Sequence, residues 1–178
     1  MPVVLAVLAA LGGAYFWYWR LKNAKEASET LIDVANDVRL AARRFGFRRK
    51  VNVHPVESID DDRLGVASLI AALMQVDRSW DRDMGQELSD ALHRYYAIPG
   101  EEADEMVTFA RWMSEQCGTK HEAVRRIAKR LADVSGKSAL EDIKALSDSL
   151  VADGAGNYSE DTSEAIETLR RQFRYAKG

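Results

Sequence analysis

The sequence contains a single cysteine, Cys117, and only three prolines among 178 residues. One cysteine cannot form an intrachain disulfide, which excludes a disulfide-framework protein and agrees with a reducing compartment. Because Pro55 and Pro99 lie between apolar segments, long stretches of the chain are free to be helical. The sequence also lacks a run of alternating apolar and polar residues that would indicate a strand. These absences favour an all-α fold.

The sequence also lacks a large net charge and a recognisable catalytic motif. The formal net charge is −3, with 30% charged and 47% hydrophobic residues. This composition is typical of a globular protein and predicts no nucleic-acid partner. His54, His93 and His121 are far apart, no glycine-rich phosphate loop follows a strand, and no nucleophile lies in a known context. We therefore expect the protein not to be an enzyme.

The segment from Val3 to Trp19 contains no charged residue. As a helix it would extend about 26 Å, close to the ~30 Å hydrocarbon core of a bilayer. Aromatic residues end the segment, basic residues follow at once, and none precedes it, which places the N-terminus outside. We predict that residues 1–22 are a single-pass transmembrane helix in a bacterial-type inner membrane, with the remainder cytoplasmic. The predicted membrane-interface residues are Tyr15, Trp17, Trp19, Arg20 and Lys22.

Two other interpretations of this segment are a cleaved signal peptide and a buried core helix. A signal peptide carries its basic residues before the apolar run and small residues at its cleavage site. Here the basic residues follow the run, and bulky aromatic residues occupy the place of the small ones. A core helix would be less uniformly apolar from its start. The pattern therefore favours the membrane anchor.

An amphipathic basic helix is predicted next, over residues 23–50. Apolar residues recur at intervals of three and four from Ala27 to Phe45, as on one face of a helix. Six basic residues and no acidic residue occupy the last part: Arg39, Arg43, Arg44, Arg48, Arg49 and Lys50. They could bind anionic lipid headgroups or an acidic partner protein. They could also be a solvated face with cations that favour a helix C-terminus.

Residues 51–59 are predicted to be a linker, because Pro55 disfavours helix immediately before it. Residues 60–178 carry several helical patterns, separated by Gly118, Gly136 and the stretch 153–159. The pattern from Leu64 to Met74 is almost wholly apolar, which predicts a central buried helix.

The pattern within residues 60–178 also repeats. Asp77 and Asp153 each end a helical pattern that is followed by an aromatic turn and an acid-rich helix. This predicts two related helical hairpins in one bundle.

Residues from about 60 to 175 resemble the TerB-like family of tellurite-resistance and co-chaperone-associated helical domains. The resemblance rests on the segment Leu64–Asp77, on Glu101–Met106, and on Asp153-Gly154 followed by Ser159-Glu160-Asp161. It implies a compact multi-helix bundle, paired acidic turns that can bind metal ions, and a link to stress responses at membranes.

Acidic residues cluster near both turns of the repeat. Oxygen ligands of this kind suit a hard divalent cation such as calcium, magnesium or manganese. The predicted metal ligands are Asp77, Asp81, Asp153, Asp161 and Glu164. The alternative is that these acids cap helices and interact with the positive ends of their dipoles.

These features lead to three functional hypotheses. The first is a membrane-anchored, cytoplasmic, TerB-like interaction module that responds to metal or stress. The second is an accessory or assembly subunit of a larger membrane complex, in which the anchor packs against other helices. The third, which the sequence supports least, is a membrane-attached hydrolase. In the first two, the partners are the membrane and other membrane or cytoplasmic proteins.

Overall fold

A computed structural model describes residues 37–152 and 155–176 of the chain. The chain divides between Asp37 and Val38, and the unit from Val38 onward is described below. Its regular elements within the described ranges are all helical, which confirms the predicted all-α class. After residue 60, the described α-helices are α1 (Asp62–Asp77), α2 (Arg82–Tyr96), α3 (Gly100–Glu115), α4 (Lys120–Ser135), α5 (Ala139–Leu150) and α6 (Glu160–Phe173).

Helix α1 lies at the centre of the bundle and contacts each of the other five helices. Its residues from Leu64 to Met74 are all buried, as the uninterrupted apolar run predicts. A helix that is apolar on every side must be covered on every side, because exposed apolar surface is unfavourable in water. Gly65 allows the close approach of α4, since a Cβ there would lie 2.7 Å from Leu131 Cδ1.

Local capping explains where several helices begin. The carboxylates of Asp61 and Asp81 accept hydrogen bonds from the backbone amides of Leu64 (3.0 Å) and Met84 (2.7 Å). Thr119 caps α4 in the same way, through the amide of Glu122. Such a cap satisfies one of the amides that a helix N-terminus leaves without an intrahelical partner.

The segment before α1 is packed against the bundle. Residues 38–44 are helical, and Val38 and Ala41 are buried. A short 3-10 helix, Pro55–Ser58, follows, and Val56 and Ile59 belong to the core. Residues 55–59 of the predicted linker are therefore part of the folded unit. Local sequence predicts the helix break at Pro55 but not the burial of the residues after it.

The predicted membrane anchor, residues 1–22, lies outside the described residues, as do Tyr15, Trp17, Trp19, Arg20 and Lys22. Among the helices of residues 37–152 and 155–176, none combines the length and the apolar character that crossing a bilayer requires.

Candidate binding surfaces

The six basic residues from Arg39 to Lys50 lie on the exposed side of the segment before α1. All six are solvent-exposed, and we call them the basic surface: Arg39, Arg43, Arg44, Arg48, Arg49 and Lys50. Arg39 and Arg43 lie on the helical residues 38–44, whereas Arg48, Arg49 and Lys50 precede a turn at Asn52, whose φ is 64°. The six exposed cations therefore come from two local structures of the folded unit.

Packing beneath the basic surface holds it to the bundle. The Phe47 ring meets the buried Phe109 ring edge-on, with centroids 4.9 Å apart. The backbone amide of Lys50 donates to Ser58 Oγ (3.0 Å). His54 Nε2 donates to the carbonyl of Gln116 (2.9 Å), while its Nδ1 accepts from the amide of Val56 (3.3 Å). These contacts fix the backbone that carries the cations, so their positions are set before any partner arrives.

Two cations of the basic surface are engaged with carboxylates of the bundle. Arg44 Nη1 lies 2.8 Å from Glu105 Oε1 and 4.0 Å from Glu101 Oε1. The hydrogen bond and the charge of Glu105 raise the pKa of Arg44 above its ordinary value. Lys50 Nζ lies 3.8 Å from Asp60 Oδ1, a longer and weaker pairing. Exposed pairs of this kind contribute little to stability but orient the side chains.

The other four cations form no ion pair with any residue that the structure describes: Arg39, Arg43, Arg48 and Arg49. Apolar side chains are exposed among them. Leu40 is 58% exposed, Val51 84% and Val53 41%. The sequence pattern did not indicate that these three side chains are exposed. The available signal was that Val51 and Val53 come soon after three consecutive basic residues. Cations beside exposed apolar groups are typical of surfaces that contact a lipid interface.

The predicted metal ligand Asp77 lies where the end of α1 meets the start of α6. It ends α1, and its carboxylate accepts hydrogen bonds from Ser159 Oγ (2.7 and 2.8 Å) and Thr162 Oγ1 (2.9 Å). Ser159 also caps α6, because its hydroxyl accepts from the amide of Thr162 (3.0 Å). The structure therefore brings the acidic turn of the first hairpin to the start of the last helix.

The other predicted metal ligands have separate environments. Asp81 caps α2, Asp161 is exposed in the first turn of α6, and Asp153 lies outside the described residues. Glu164 lines a shallow depression with His121 and Glu122, but the Glu122 carboxylate is occupied by Arg125 (2.7 Å). In the described parts of the chain, no three His, Cys, Asp or Glu side chains lie close enough together to hold a metal ion.

Replacing Asp77 by alanine is expected to lower the free energy of unfolding by about 1–3 kcal/mol. The substitution leaves the Thr162 hydroxyl, on a fully buried residue, without its acceptor, and an unpaired buried hydroxyl carries this cost. Chemical denaturation followed by circular dichroism measures the change. Asp133→Ala is the control, because Asp133 is exposed. Equal stability of the two variants would contradict the bridging role of Asp77.

Cys117 is buried, and burial raises the pKa of its thiol to about 11 from 9.0. Because the thiolate is the reactive form, we expect iodoacetamide at pH 8 to alkylate the folded protein about 100-fold more slowly than the unfolded protein. Mass spectrometry over time measures this rate, and Cys117 is the only cysteine in the sequence. Equal rates in the folded and unfolded states would show an accessible, activated thiol instead.

The same shift of the Cys117 pKa predicts a pH dependence of stability. The unfolded thiol loses its proton at a lower pH than the folded thiol, so the stabilising contribution is complete below pH 9 and is lost between about pH 9 and 11. Denaturation at pH 8 and pH 10.5 should show the decrease, and Cys117→Ala should remove this component of it.

Two tyrosines and one carboxylate join α2 to α5, a contact that sequence patterning did not reveal. Asp142 accepts hydrogen bonds from Tyr95 (2.9 Å) and Tyr96 (2.9 Å). Burial and the Asp142 carboxylate raise the pKa of Tyr96. Met84, Leu88 and Leu92 of α2 are fully buried, whereas Tyr95 on the same helix is 39% exposed. The Tyr95 hydroxyl lies at the edge of the bundle, where it donates its hydrogen bond to the Asp142 carboxylate.

Comparison of the chain with protein-family models, with curated proteins and with solved structures found no match.

Proposed function

We propose that this chain is a membrane-tethered, non-catalytic interaction module whose basic surface binds anionic lipid headgroups on the cytoplasmic side. The TerB-like bundle is the module, and residues 1–22 are its anchor. The observation that carries the proposal is a group of exposed arginines that have no carboxylate partner among the described residues: Arg39, Arg43, Arg48 and Arg49. Each cation near an anionic membrane surface contributes attraction of about 1 kcal/mol.

The position of the basic surface in the chain supports a lipid partner. It lies between the predicted anchor and α1, so tethering would keep it at a high effective concentration near the bilayer. Exposed Val51 and Val53 follow the cations directly, and such apolar groups gain free energy on entering the interfacial region.

The resemblance to TerB-like domains supports the proposal that the helical bundle is an interaction module. The bundle is compact and all-helical, and Asp77 of one repeat contacts Ser159 and Thr162 near the equivalent turn of the other.

The resemblance also implies that the bundle binds divalent cations, and a titration of the protein with metal ions tests this. Calcium, magnesium or manganese at 100 times its dissociation constant would stabilise the fold by about 2.7 kcal/mol. A shift in melting temperature that Asp77→Asn removes would add metal response to the function.

A fluorescent reporter on the full chain in lipid nanodiscs tests headgroup binding. Val53→Cys, combined with Cys117→Ala so that the chain has a single thiol, would be labelled with an environment-sensitive dye at pH 7. We expect a blue shift in discs that contain about 30% phosphatidylglycerol and none in neutral phosphatidylcholine discs. Salt at about 0.5 M should reverse the shift, because it screens exposed charges. Identical spectra in both lipids would contradict the proposal.

The accessory-subunit hypothesis has a different expected result. An acidic protein surface could occupy the same cations and the same exposed valines, and it would do so in neutral lipid as well. Mild detergent extraction followed by native separation would then show the chain migrating with a large complex. Migration as a small species, together with the lipid-dependent shift, favours the headgroup proposal.

A further inference from the structure

An apolar groove lies between α5 and α6, away from every residue of the basic surface. Its volume is about 360 Å³, within the usual range of small-molecule sites. The walls are aliphatic and come from both helices: Leu140, Ile143, Ile166 and Leu169. Lys144, Asp148, Tyr158 and Arg170 form the polar rim. We call this feature the α5–α6 groove.

Ser147 lines the α5–α6 groove beside its aliphatic walls. The residue is only 4% exposed, and its hydroxyl is buried without a hydrogen-bond partner among the described residues. Two other serines of the bundle, Ser68 on α1 and Ser149 on α5, bond to their own helix. Ser68 Oγ donates to the Leu64 carbonyl (2.7 Å), and Ser149 Oγ donates to the Leu146 carbonyl (3.1 Å). A buried hydroxyl without a partner is unfavourable, so a group that pairs with it is favoured.

Both cations of the groove's rim are paired with carboxylates. The Asp148 carboxylate accepts hydrogen bonds from Tyr158 (2.7 Å) and from Lys144 (3.1 Å). Arg170 Nη1 pairs with Glu167 Oε1 at 2.6 Å. Each rim cation therefore already faces a carboxylate, and a charged ligand would gain little attraction while losing its hydration. The groove thus differs in its chemistry from the basic surface.

We propose that the α5–α6 groove binds a small neutral molecule with an aliphatic body and one hydrogen-bonding group. The body contacts Leu140, Ile143, Ile166 and Leu169, and its hydroxyl or carbonyl pairs with Ser147. Aliphatic walls with one directed polar group are the usual means by which a protein site combines affinity with orientation. The proposal does not depend on lipid binding by the basic surface.

Three probes that share a hexyl chain and differ only in the polar group test the ligand class: 1-hexanol, heptanoate and hexylammonium. Methyl NMR of Ile143 and Ile166, on the full chain in phosphatidylcholine nanodiscs, reports occupancy at measured aqueous probe concentrations. We expect saturable shifts with hexanol and much weaker binding of the two ions. Binding of either ion as tight as that of hexanol would overturn the neutral class, and no saturable shift with hexanol would overturn the site.

Substitutions test the role of Ser147. Ser147→Ala is expected to weaken hexanol binding by roughly 2–13-fold, the loss of one hydrogen bond. Ser149→Ala is the matched control, because its hydroxyl already bonds to its own helix, and it should leave binding unchanged. Ile166→Trp, at a half-buried wall position, should fill the groove and abolish the shifts at Ile143. Equal effects of the two serine variants, or undiminished binding to Ile166→Trp, would overturn the proposal.

Discussion

Replacing Phe109 by alanine is expected to lower the free energy of unfolding by about 3–5 kcal/mol. Phe109 is among the largest fully buried side chains, and the rings of Phe47 and Trp112 lie 4.9 and 5.6 Å from its own. Alanine would remove this buried aromatic surface and leave a cavity that a packed bundle refills only partly. A loss of this size is a large fraction of the stability of an ordinary domain.

Chemical denaturation of the full chain in nanodiscs, followed by circular dichroism, measures the effect of Phe109→Ala. Leu40→Ala is the control, because Leu40 is 58% exposed and such a substitution changes stability by no more than about 0.5 kcal/mol. Phe47→Ala should lose less than Phe109→Ala, and the two substitutions should be non-additive since the rings are in contact. Additive effects would show that the contribution of Phe47 to stability does not depend on its contact with the Phe109 ring.

Neutralising the four arginines that form no ion pair with a described residue is expected to weaken docking on an anionic bilayer about a thousand-fold. The variant carries Arg39→Gln, Arg43→Gln, Arg48→Gln and Arg49→Gln. At about 1 kcal/mol for each cation near the surface, the total is about 4 kcal/mol. The Val53→Cys reporter in phosphatidylglycerol discs measures the docked fraction, and the variant should give the spectrum found in neutral discs.

A charge-matched variant separates local binding from net charge. Arg82, Arg94, Lys129 and Lys137 are exposed and form no ion pair with a described residue, so their replacement by glutamine changes the net charge equally. We expect this control to keep most of the lipid-dependent shift. Equal loss in both variants would show that bulk charge, rather than the basic surface, attracts the membrane.

The helical class and the central place of α1 were predictable because both follow from local patterns. The apolar run from Leu64 to Met74 predicts a buried helix, as observed. The position of Asp61 just before that helix is enough to predict its N-terminal cap. The anchor at residues 1–22, the TerB-like resemblance and the metal ligands remain predictions. They concern residues that the structure does not describe, or chemistry that solution experiments must test.

Other features depended on contacts between residues distant in the sequence. Asp77 bonds to Ser159, 82 residues away, and no local pattern indicates that these two turns meet. The burial of Val56 and Ile59, the exposure of Tyr95 and the unpaired hydroxyl of Ser147 are equally products of helix packing. Periodicity determines which face of a helix is apolar, and it therefore determined that this chain forms a helical bundle. Only the tertiary structure decided which faces meet, because that choice depends on how all six helices fill one core together.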